Sequence, residues 1–387
     1  MTEWKTYRAE DYCLTVTDGT HDSPKPQAEG RYLITSKHLK PSGIDFSSAN
    51  KICEEDYQKI IQRSRVEQYD ILFSMIGTVG NIHRVTIPIV DFAVKNMGIF
   101  KMGGDANKSL WMYYWLQSPI AQEYIQSRIT GSTQGYLTLG NLRDFPVCVP
   151  SLEEQRRIAG ILGAIDDKIE NNRRINTNLE LQAQALFDEW FITNTSRLGV
   201  FSKAYLTDIA NYLNGLAMQR FRLLEGEIGI PVLKIKELGQ GQCDSSSDLC
   251  SPSIEEKYIV RDGDIIFSWS GTLLVDIWCG GVCGLNQHLF KVTSDKYPQW
   301  FIYYWTKHHL AKFIRIAKDK AVTMGHIKRG DLEVSEVLIP DEKSFAEMDK
   351  MMSPIFKAIV VNRIENRRLA TLRDTLLPKL MNGEIKI

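Results

Sequence analysis

The chain has 387 residues, of which 43% are apolar and 24% charged, and this composition excludes wholesale disorder, a collagen-like repeat and a small disulfide scaffold. Its 47 basic and 47 acidic residues give no net charge, so charge alone carries no nucleic-acid signal. Seven cysteines favour a reducing cytosol, and Met1–Glu10 lacks the apolar core of a signal peptide. No apolar run reaches the ~18 residues of a membrane span, so we expect a cytoplasmic, multi-domain chain with no membrane partner.

The amino-acid sequence repeats itself once. Asp70–Ser74 returns as Asp264–Ser268 with a shift of 194 residues, and Asn96 returns as Asn286 with a shift of 190. The smaller second shift indicates a shorter loop in the second copy. A period of about 190 residues is too long for a solenoid repeat, so the two copies are predicted to be domain-sized units.

Each copy joins a mixed segment to a helical one. The mixed segments, 1–150 and 193–340, contain short apolar runs separated by Gly, Asn and Pro, which we interpret as strands and turns. They also contain helical stretches such as Leu110–Arg128. The segments that follow, 151–192 and 341–387, are predicted to be long helices. Ser151 and Glu154 form a capping box at the start of the first helix.

Both helical segments carry a heptad seam, in which spacings of four and three residues alternate. The first seam is Ile158, Leu162, Ile165, Ile169, Asn172, Asn176, Leu179, Ala183, Leu186 and Trp190. The second seam lies 190 residues later and is Met348, Met352, Ile355, Ile359, Asn362, Asn366, Leu369, Arg373, Leu376 and Leu380. Pro354 lies near its start, so we expect the regular part of the second helix to begin or kink there.

Two asparagines occupy matched seam positions in each copy, namely Asn172, Asn176, Asn362 and Asn366. An asparagine in a seam costs stability and fixes register and orientation, so these four are predicted to set the helix–helix register. The predicted fold class is α+β: two tandem mixed α/β domains separated by two long antiparallel coiled-coil helices, with the domains at opposite ends. Separate packing of each helix on its own domain remains the alternative.

The sequence contains no complete catalytic, cofactor or metal motif. Gly103–Ser109 resembles a phosphate loop but lacks two of the required glycines. Ser268–Gly271 lacks the first glycine of a nucleophile elbow. Cys279, Cys283 and His288 have poor spacing for zinc, and a fourth ligand is not evident. We therefore predict no catalytic, cofactor-binding or metal site in this chain.

Local clusters of basic and polar residues are compatible with nucleic-acid binding. Six basic residues lie within 18 positions of the second copy: Lys312, Arg315, Lys318, Lys320, Lys328 and Arg329. Thr323 and His326 lie beside them and are side chains that can read base edges. The matching loop of the first copy, Gly131–Thr138, is also rich in donors and acceptors. The alternative is a solvated loop beside the charged face of a helix.

The first helical segment carries a specific resemblance. Pro150–Ala159, continuing through Asp167–Asn171 to Gln184–Phe187 and Trp190, resembles the central conserved region of specificity subunits of type I restriction–modification systems. The tandem layout fits the same family, so the resemblance covers the whole chain. The second copy departs from it at Pro340–Ser344, where the Leu-Glu-Glu-Gln of the first copy is absent.

Shorter motifs resemble those of the family's target recognition domains. Asp18–His21 followed by Pro24 resembles the entry motif of one class, and Asn286–His288 and Gly325–Lys328 resemble motifs of another. We predict DNA contacts in these loops and their counterparts, since function concentrates in loops on a rigid scaffold. The predicted contacts are Thr20, His21, Ser132, Thr133, Gln134 and Tyr136 in the first domain, and Asn286, Gln287, Thr323, His326, Lys328 and Arg329 in the second.

The resemblance implies a DNA sequence-specificity subunit of a type I restriction–modification complex, without catalytic activity of its own. Target recognition domains at 1–150 and 193–340 would each read one half of a bipartite, asymmetric double-stranded DNA target. The central helix 151–192 and the C-terminal helix 341–387 would set the spacing and dock two modification (methyltransferase) subunits. S-adenosylmethionine, ATP and Mg²⁺ would belong to those subunits and to the restriction (translocase/nuclease) subunits.

Two other classes remain open from the sequence. One is a coiled-coil adapter with two protein-binding domains, which absence of salt-dependent DNA binding would favour. The other is a hydrolase or transferase that uses an unrecognised site, which turnover by the isolated chain would favour.

Overall fold

The computed structural model describes residues 4–40, 43–131, 135–193, 201–319 and 325–385. Contacts divide the chain into two units, the first comprising Met1–Asp167 with Thr371–Ile387 and the second Lys168–Ala370. Each unit contains a mixed α/β region and parts of two long helices, so the predicted α+β class is confirmed.

The first copy consists of short strands and helices followed by one long helix. Its strands are β1 (Lys5–Arg8), β2 (Thr15–Asp18), β3 (Arg31–Ile34), β4 (Leu39–Lys40), β5 (Gly43–Ile44), β6 (Asn50–Ile52), β7 (Ile71–Ser74), β8 (Ile82–Arg84), β9 (Phe92–Val94), β10 (Met97–Lys101) and β11 (Pro146–Val149). Its helices are α1 (Ala9–Tyr12), α2 (Glu54–Ser64), α3 (Ala106–Gln117), α4 (Pro119–Arg128), α5 (Leu139–Arg143) and α6 (Leu152–Asp188). A π-helical turn at Glu189–Thr193 continues α6.

The second copy has the same plan. Its strands are β12 (Phe201–Tyr205), β13 (Asn211–Asn214), β14 (Ile230–Leu233), β15 (Leu249–Cys250), β16 (Ile259–Val260), β17 (Ile265–Ser268), β18 (Leu274–Ile277), β19 (Cys283–Leu285), β20 (Leu289–Thr293) and β21 (Glu336–Pro340). Its helices are α7 (Leu206–Ile209), α8 (Ile235–Gln240), α9 (Gln299–Asp319), α10 (Arg329–Glu333) and α11 (Glu342–Met381).

Both units build the same four-stranded antiparallel sheet. Its strand order is β2-β10-β7-β8 in the first unit and β13-β20-β17-β18 in the second. A two-stranded ribbon joins β1 to β11 and, correspondingly, β12 to β21. A parallel pair also recurs, β3 with β9 and β14 with β19. The repeat seen in the sequence is therefore a repeat of topology.

Strand pairing corrects one step of the sequence alignment between the copies. Parallel bridges join Thr20 to Lys95 and Leu216 to Asn286. Asn286 therefore corresponds to Lys95, a shift of 191, and not to Asn96. The copies shorten relative to each other in several turns and not in one, which is why matching residue types misplaced this position.

The core of the first unit joins its sheet to both long helices. Trp111 and Trp115 of α3 are almost fully buried in it, together with Ile158 of α6 and Leu380 of α11. The indole nitrogens of both tryptophans donate to backbone carbonyls, that of Trp115 to Pro146 O at 2.7 Å. Burial of side chains of this size contributes ~1.5–3 kcal/mol each, so α3 anchors the helices to the sheet.

In the second unit α6 and α11 run antiparallel. Lys168 Nζ lies 3.3 Å from Glu365 Oε2, and further along α6 Ala183 packs in a cluster with Met352 and Ile359. Residue numbers therefore increase along α6 in the direction in which they decrease along α11. Every seam position of both helices is buried or half-buried, which confirms the predicted heptad seam.

The starts of the two long helices are set by caps. Glu154 N–H donates to Ser151 Oγ at 3.2 Å at the start of α6, as predicted. At the start of α11, Ser344 N–H donates to Asp341 Oδ1 at 3.0 Å. Of the two expectations for Pro354, a beginning of the regular helix there is wrong, because this cap starts α11 at Glu342 and Pro354 is exposed within the helix. A kink at Pro354 stays a prediction.

Candidate nucleic-acid interface

The predicted contact loops of the first unit meet at one end of its four-stranded sheet. Asp18 ends β2 and pairs with Gly98, while Ser74 ends β7 and pairs with Met97 at the start of β10. Because these strands are antiparallel, the loops after β2 and β7 and the turn before β10 share one sheet edge. We call this edge the first sheet end.

The loop after β2 is held against the turn before β10 by its backbone. Thr20 N–H donates to Val94 O at 3.0 Å, and Asn96 N–H donates to Thr20 O at 3.0 Å. Thr20 Oγ1 accepts from Asp22 N–H at 3.1 Å. The Thr20 side chain is half-buried, so this predicted contact residue is fixed in place by its own loop.

His21 is exposed and held on both sides by protein oxygens. Its Nδ1 lies 2.8 Å from Asn96 Oδ1 and its Nε2 lies 2.9 Å from Asp18 Oδ2. Arg63 of α2 donates to the other carboxylate oxygen of Asp18. The Asp18 side chain is 9% exposed, whereas those of His21 and Arg63 are more than 60% exposed. A buried carboxylate thus positions two nitrogen-bearing side chains at the surface.

Tyr136 lies beside the turn after β7. Its backbone N–H donates to Thr130 O at 2.9 Å, and Leu137 N–H donates to Met75 O at 2.9 Å. Its side chain is 43% exposed, which leaves the ring available at the first sheet end. Ser132, Thr133 and Gln134 lie outside the described residues.

The second unit brings its loops together at the corresponding edge, which we call the second sheet end. Asn214 ends β13 and pairs with Phe290, and Ser268 ends β17 and pairs with Leu289. Asn286 is 4% exposed, and its Oδ1 accepts from His288 N–H at 3.3 Å. Its side chain therefore supports the loop.

The neighbouring Gln287 reaches the surface of this loop. Its backbone N–H donates to Leu216 O at 2.8 Å, and its half-buried side chain lies beside His288, with the amide nitrogen 3.4 Å from Nε2. Of the two predicted contacts here, Gln287 is the one with accessible side-chain atoms.

Trp269 ties the loops of the second sheet end together. Its indole Nε1 donates to Asn214 Oδ1 at 3.0 Å, and its ring stacks on Phe290 with centroids 5.7 Å apart. His326, which is exposed, meets the same indole edge-on at 6.3 Å. Ser270 Oγ lies 3.0 Å from His288 Nδ1. An aromatic and polar surface results, and His326 is the predicted contact that lies within it.

Lys328 and Arg329 are exposed at the start of α10. Lys328 N–H donates to Asp331 Oδ2 at 2.8 Å, which caps the helix. Arg329 Nε lies 3.9 Å from Glu333 Oε1 with both side chains largely exposed, a surface pair that contributes little. Both basic groups can therefore turn towards an anion. Thr323 and Lys320 lie outside the described residues.

Equivalent glycines allow the close backbone approach at each sheet end. A Cβ on Gly19 would lie 2.2 Å from Val94 O, and one on Gly215 would lie 2.2 Å from Asn286 O. Any other residue would push the two loops apart. The recurrence of Asp18-Gly19 as Asn214-Gly215 is a sequence signal that could have located both loops.

Sequence reasoning missed several residues of these surfaces. Arg63 and Asn96 reach the first sheet end from distant segments, and no local motif marks either one. Trp269 lies in a stretch interpreted only as an incomplete nucleophile elbow, and His288 lies in the Asn286–His288 motif without being a predicted contact. An aromatic residue directly after a buried strand, Ile265–Ser268, is the signal that could have identified Trp269.

The seam asparagines contact one another across the helix pair of the second unit. Asn172 Nδ2 donates to Asn366 Oδ1 at 2.9 Å, and Asn362 Nδ2 donates to Asn176 Oδ1 at 2.8 Å. Asn176 Nδ2 also donates to Ile359 O at 3.0 Å. These bonds hold the amides in a fixed relative position, although the buried Asn172 Oδ1 has no hydrogen-bond partner among the described residues. The register role assigned to the four asparagines stays a prediction.

Within the described ranges, no group of three or more His, Cys, Asp or Glu residues could hold a metal ion. In the same part of the chain, no helix is long and apolar enough to cross a membrane. The described residues thus present a polar and aromatic surface twice, each time at the end of the same sheet scaffold.

Comparison with known proteins gives a matching family model and several similar proteins. Residues 24–181 match the family model described as Type I restriction modification DNA specificity domain. The chain is 28% identical over 307 residues to the type I restriction enzyme MjaIX specificity subunit of Methanocaldococcus jannaschii, covering 73% of this chain and 70% of that protein. It is 22% identical to the HindI specificity subunit of Haemophilus influenzae, with both chains covered completely.

A solved structure shares the fold. The crystal structure of the type I restriction–modification system S subunit from M. genitalium matches with a TM-score of 0.62 and 15% identity, covering 98% of this chain and 96% of that one. The family model and the similar specificity subunits agree with the resemblance seen in the sequence, and this structure shows that the fold is shared.

Proposed function

We propose that the chain recognises a bipartite, asymmetric double-stranded DNA sequence, with each sheet end reading one half. The observation that carries this proposal is that one sheet end is built twice with different side chains. The first presents His21 and Arg63, and the second presents Trp269 and His326. Because donors, acceptors and apolar groups select different base edges, two unlike surfaces would read two unlike half-sites.

Basic groups beside the second sheet end would hold the phosphate backbone. Lys328 and Arg329 are exposed, and Arg315 and Lys318 are exposed on α9. Phosphate contacts position a protein on the duplex, while contacts to base edges carry the sequence preference. We therefore assign positioning to these four residues and base reading to side chains of the sheet end.

The long helices would set the distance between half-sites. α6 has 37 residues and is therefore ~55 Å long at ~1.5 Å per residue. Half-sites about one helical turn apart, ~34 Å, present the same face of the duplex. Insertion of whole helical turns near Asn172 and Asn176 would then widen the gap in the target.

Partner subunits would dock on the outer face of α6 and supply the chemistry. In this proposal Leu152 and Leu181, which are 53% and 65% exposed on this helix, would be among the residues that contact the partners. We assign S-adenosylmethionine to two modification subunits, and ATP and Mg²⁺ to restriction subunits. In this proposal the chain itself is a non-catalytic recognition subunit that works in the cytoplasm.

Methylome mapping tests the proposal directly. The chain is expressed with its host's modification subunits, and modified sites are compared with those of a host that lacks the chain. We expect one bipartite, asymmetric motif that is methylated only when the chain is present. An unchanged methylome with an assembled complex would contradict the proposal.

The same complex separates this function from the adapter alternative. A DNA-recognition subunit gives binding that weakens steeply as salt rises, because bound counterions are released from the phosphates. An adapter gives an assembled complex without such binding. The family matches do not favour the adapter.

A further inference from the structure

Two cysteines of the second unit lie close enough to react with each other. Cys243 follows α8, and Cys283 begins β19. Both are free thiols, and their sulfur atoms are 3.4 Å apart. A disulfide has an S–S distance of ~2.05 Å, so bond formation needs the sulfurs to approach by only about 1.4 Å.

The two thiols differ in the way that stepwise oxidation requires. Cys243 is half-buried, so a small oxidant can reach it, whereas Cys283 is fully buried. The hydrogen bond between the thiols lowers the pKa of Cys243 and, with burial, raises that of Cys283. An accessible thiol with thiolate character is the more reactive towards peroxides.

We propose that Cys243 and Cys283 form an oxidisable thiol pair that a peroxide converts into a disulfide. The Cys243 thiolate attacks one peroxide oxygen, the O–O bond breaks, and hydroxide leaves and is protonated to water. The resulting sulfenic acid is attacked by the Cys283 sulfur, which loses its proton as the S–S bond forms. The sulfenic oxygen leaves as the second water. In total, one peroxide is reduced to two waters while two thiols are oxidised to one disulfide.

Geometry favours this pair over the other nearby thiols. Cys283 packs with Cys243 in one apolar cluster, while Cys250 belongs to a separate cluster lined by Ile254. A Cβ on Gly284, the residue after Cys283, would meet the Cys250 sulfur. Since alternate residues of a strand face opposite sides, Cys250 and Cys283 lie on opposite faces of the sheet.

The thiol pair is joined directly to the second sheet end. β19 ends at Leu285, and Asn286 and Gln287 follow it at once. A disulfide would tie this strand to the segment after α8 and restrict the loop that carries both residues. On the proposed function, which this consequence assumes, oxidation changes how tightly the second half-site is held.

Peptide mapping tests the modification without DNA. The full chain is treated with hydrogen peroxide, remaining thiols are alkylated, and the protein is digested with trypsin and Asp-N under non-reducing conditions. This digestion separates Cys243 from Cys250, and fragmentation of the linked peptides distinguishes Cys279 from Cys283. We expect a Cys243–Cys283 link that dithiothreitol removes.

Variants make the result specific. Cys243→Ser changes a half-buried side chain conservatively and should abolish the link, while Cys53→Ser, a half-buried thiol of the first unit, should leave it intact. Irreversible oxidation of Cys243 with no linked peptide, or a link to Cys250 instead, would overturn the proposal.

The consequence for recognition is measured separately in the assembled complex. Oxidised and reduced complexes are compared on DNA with either half-site altered, and we expect a reversible change confined to the second half. Equal binding by linked and reduced protein would overturn this consequence. Failure of the proposed function itself would be distinct, because the reduced complex would then show no sequence preference.

Discussion

The two units share a sheet and differ in what surrounds its end. Both have the same strand order and the same glycine at the first turn, Gly19 and Gly215. At the first sheet end a buried carboxylate, Asp18, gathers two nitrogen-bearing side chains. At the second sheet end, the indole of Trp269 contacts histidines and an asparagine amide.

This comparison distinguishes the backbone scaffold, which both units have, from the side chains at the sheet end, which differ between them. Backbone pairing fixes where the loops lie, because the strand ends and the glycine turns coincide in both units. The side chains at the loop tips differ: His21, Arg63 and His326 lie outside the main cores, while Trp269 packs against the core of the second unit. One framework can therefore present two unrelated recognition surfaces.

The largest expected effect concerns an Asp–Lys ion pair that is present in each unit and is more deeply buried in the first unit. Asp70 and Lys101 are 1% and 10% exposed, while Asp264 and Lys291 are 19% and 15% exposed. Asp70→Ala removes the buried carboxylate of this pair, which also accepts from Met102 N–H, and leaves Lys101 with Glu67 as its acidic partner. The loss should be ~3–5 kcal/mol, and Asp264→Ala should cost less. Urea unfolding of both variants checks this. Equal losses would contradict the difference in depth.

The next effect tests the helix framework common to both units. Asn176→Ala removes the partner of Asn362 and leaves a polar group unsatisfied, which should cost ~1–3 kcal/mol. A double-mutant cycle with Asn362→Ala measures the coupling between the two amides. Additive losses would show that the pair does not set the helix register, and Thr177→Ala, an exposed position of the same helix, provides the control.

Substitution of His326 tests whether the second sheet end reads its half-site independently of the first. If it makes a direct base contact, His326→Ala should relax the preference at one base pair of the second half-site by ~1–3 kcal/mol and leave the first half-site unchanged. Binding of the complex to a library of single-base variants provides the measurement. A lower thermal midpoint with unchanged preference would mean that the loop only braces the fold.

Substitution of Lys328 should have the smallest effect on DNA binding, and this effect should not depend on the DNA sequence. If Lys328 meets a phosphate, Lys328→Ala weakens binding about equally on all sequences and reduces the salt slope by about one unit. Titration of target and unrelated DNA over a range of salt concentrations tests this. A loss confined to one base pair would assign Lys328 to base reading instead.

Sequence patterns predicted the parts of the fold that depend on periodicity. The heptad seam, its four asparagines and the Ser151 cap each arise from residues close in sequence, so local spacing was enough to find them. The segment 341–387 matches the start of α11 at Glu342, whereas the beginning of regular helix at Pro354 was wrong because the Asp341 cap lies before it.

The sheet ends were only partly predictable. Motifs placed His21 and Gln287 in loops after strand ends and His326 in the loop before α10, and their role as DNA contacts stays a prediction. Arg63 and Asn96 join the first surface through long-range pairing that no local pattern encodes. The correspondence between Lys95 and Asn286 likewise became visible only from strand register.

Exchange of one recognition domain tests the central claim most directly. Residues 1–150 are replaced with those of a type I specificity subunit of different target, the complex is assembled with the modification subunits that the proposal assigns to it, and methylated sites are mapped across the genome. Because each unit carries its own sheet end, we predict a new first half-site beside an unchanged second half-site and an unchanged gap. A hybrid that methylates a target altered in both halves would contradict the account of two independent readers.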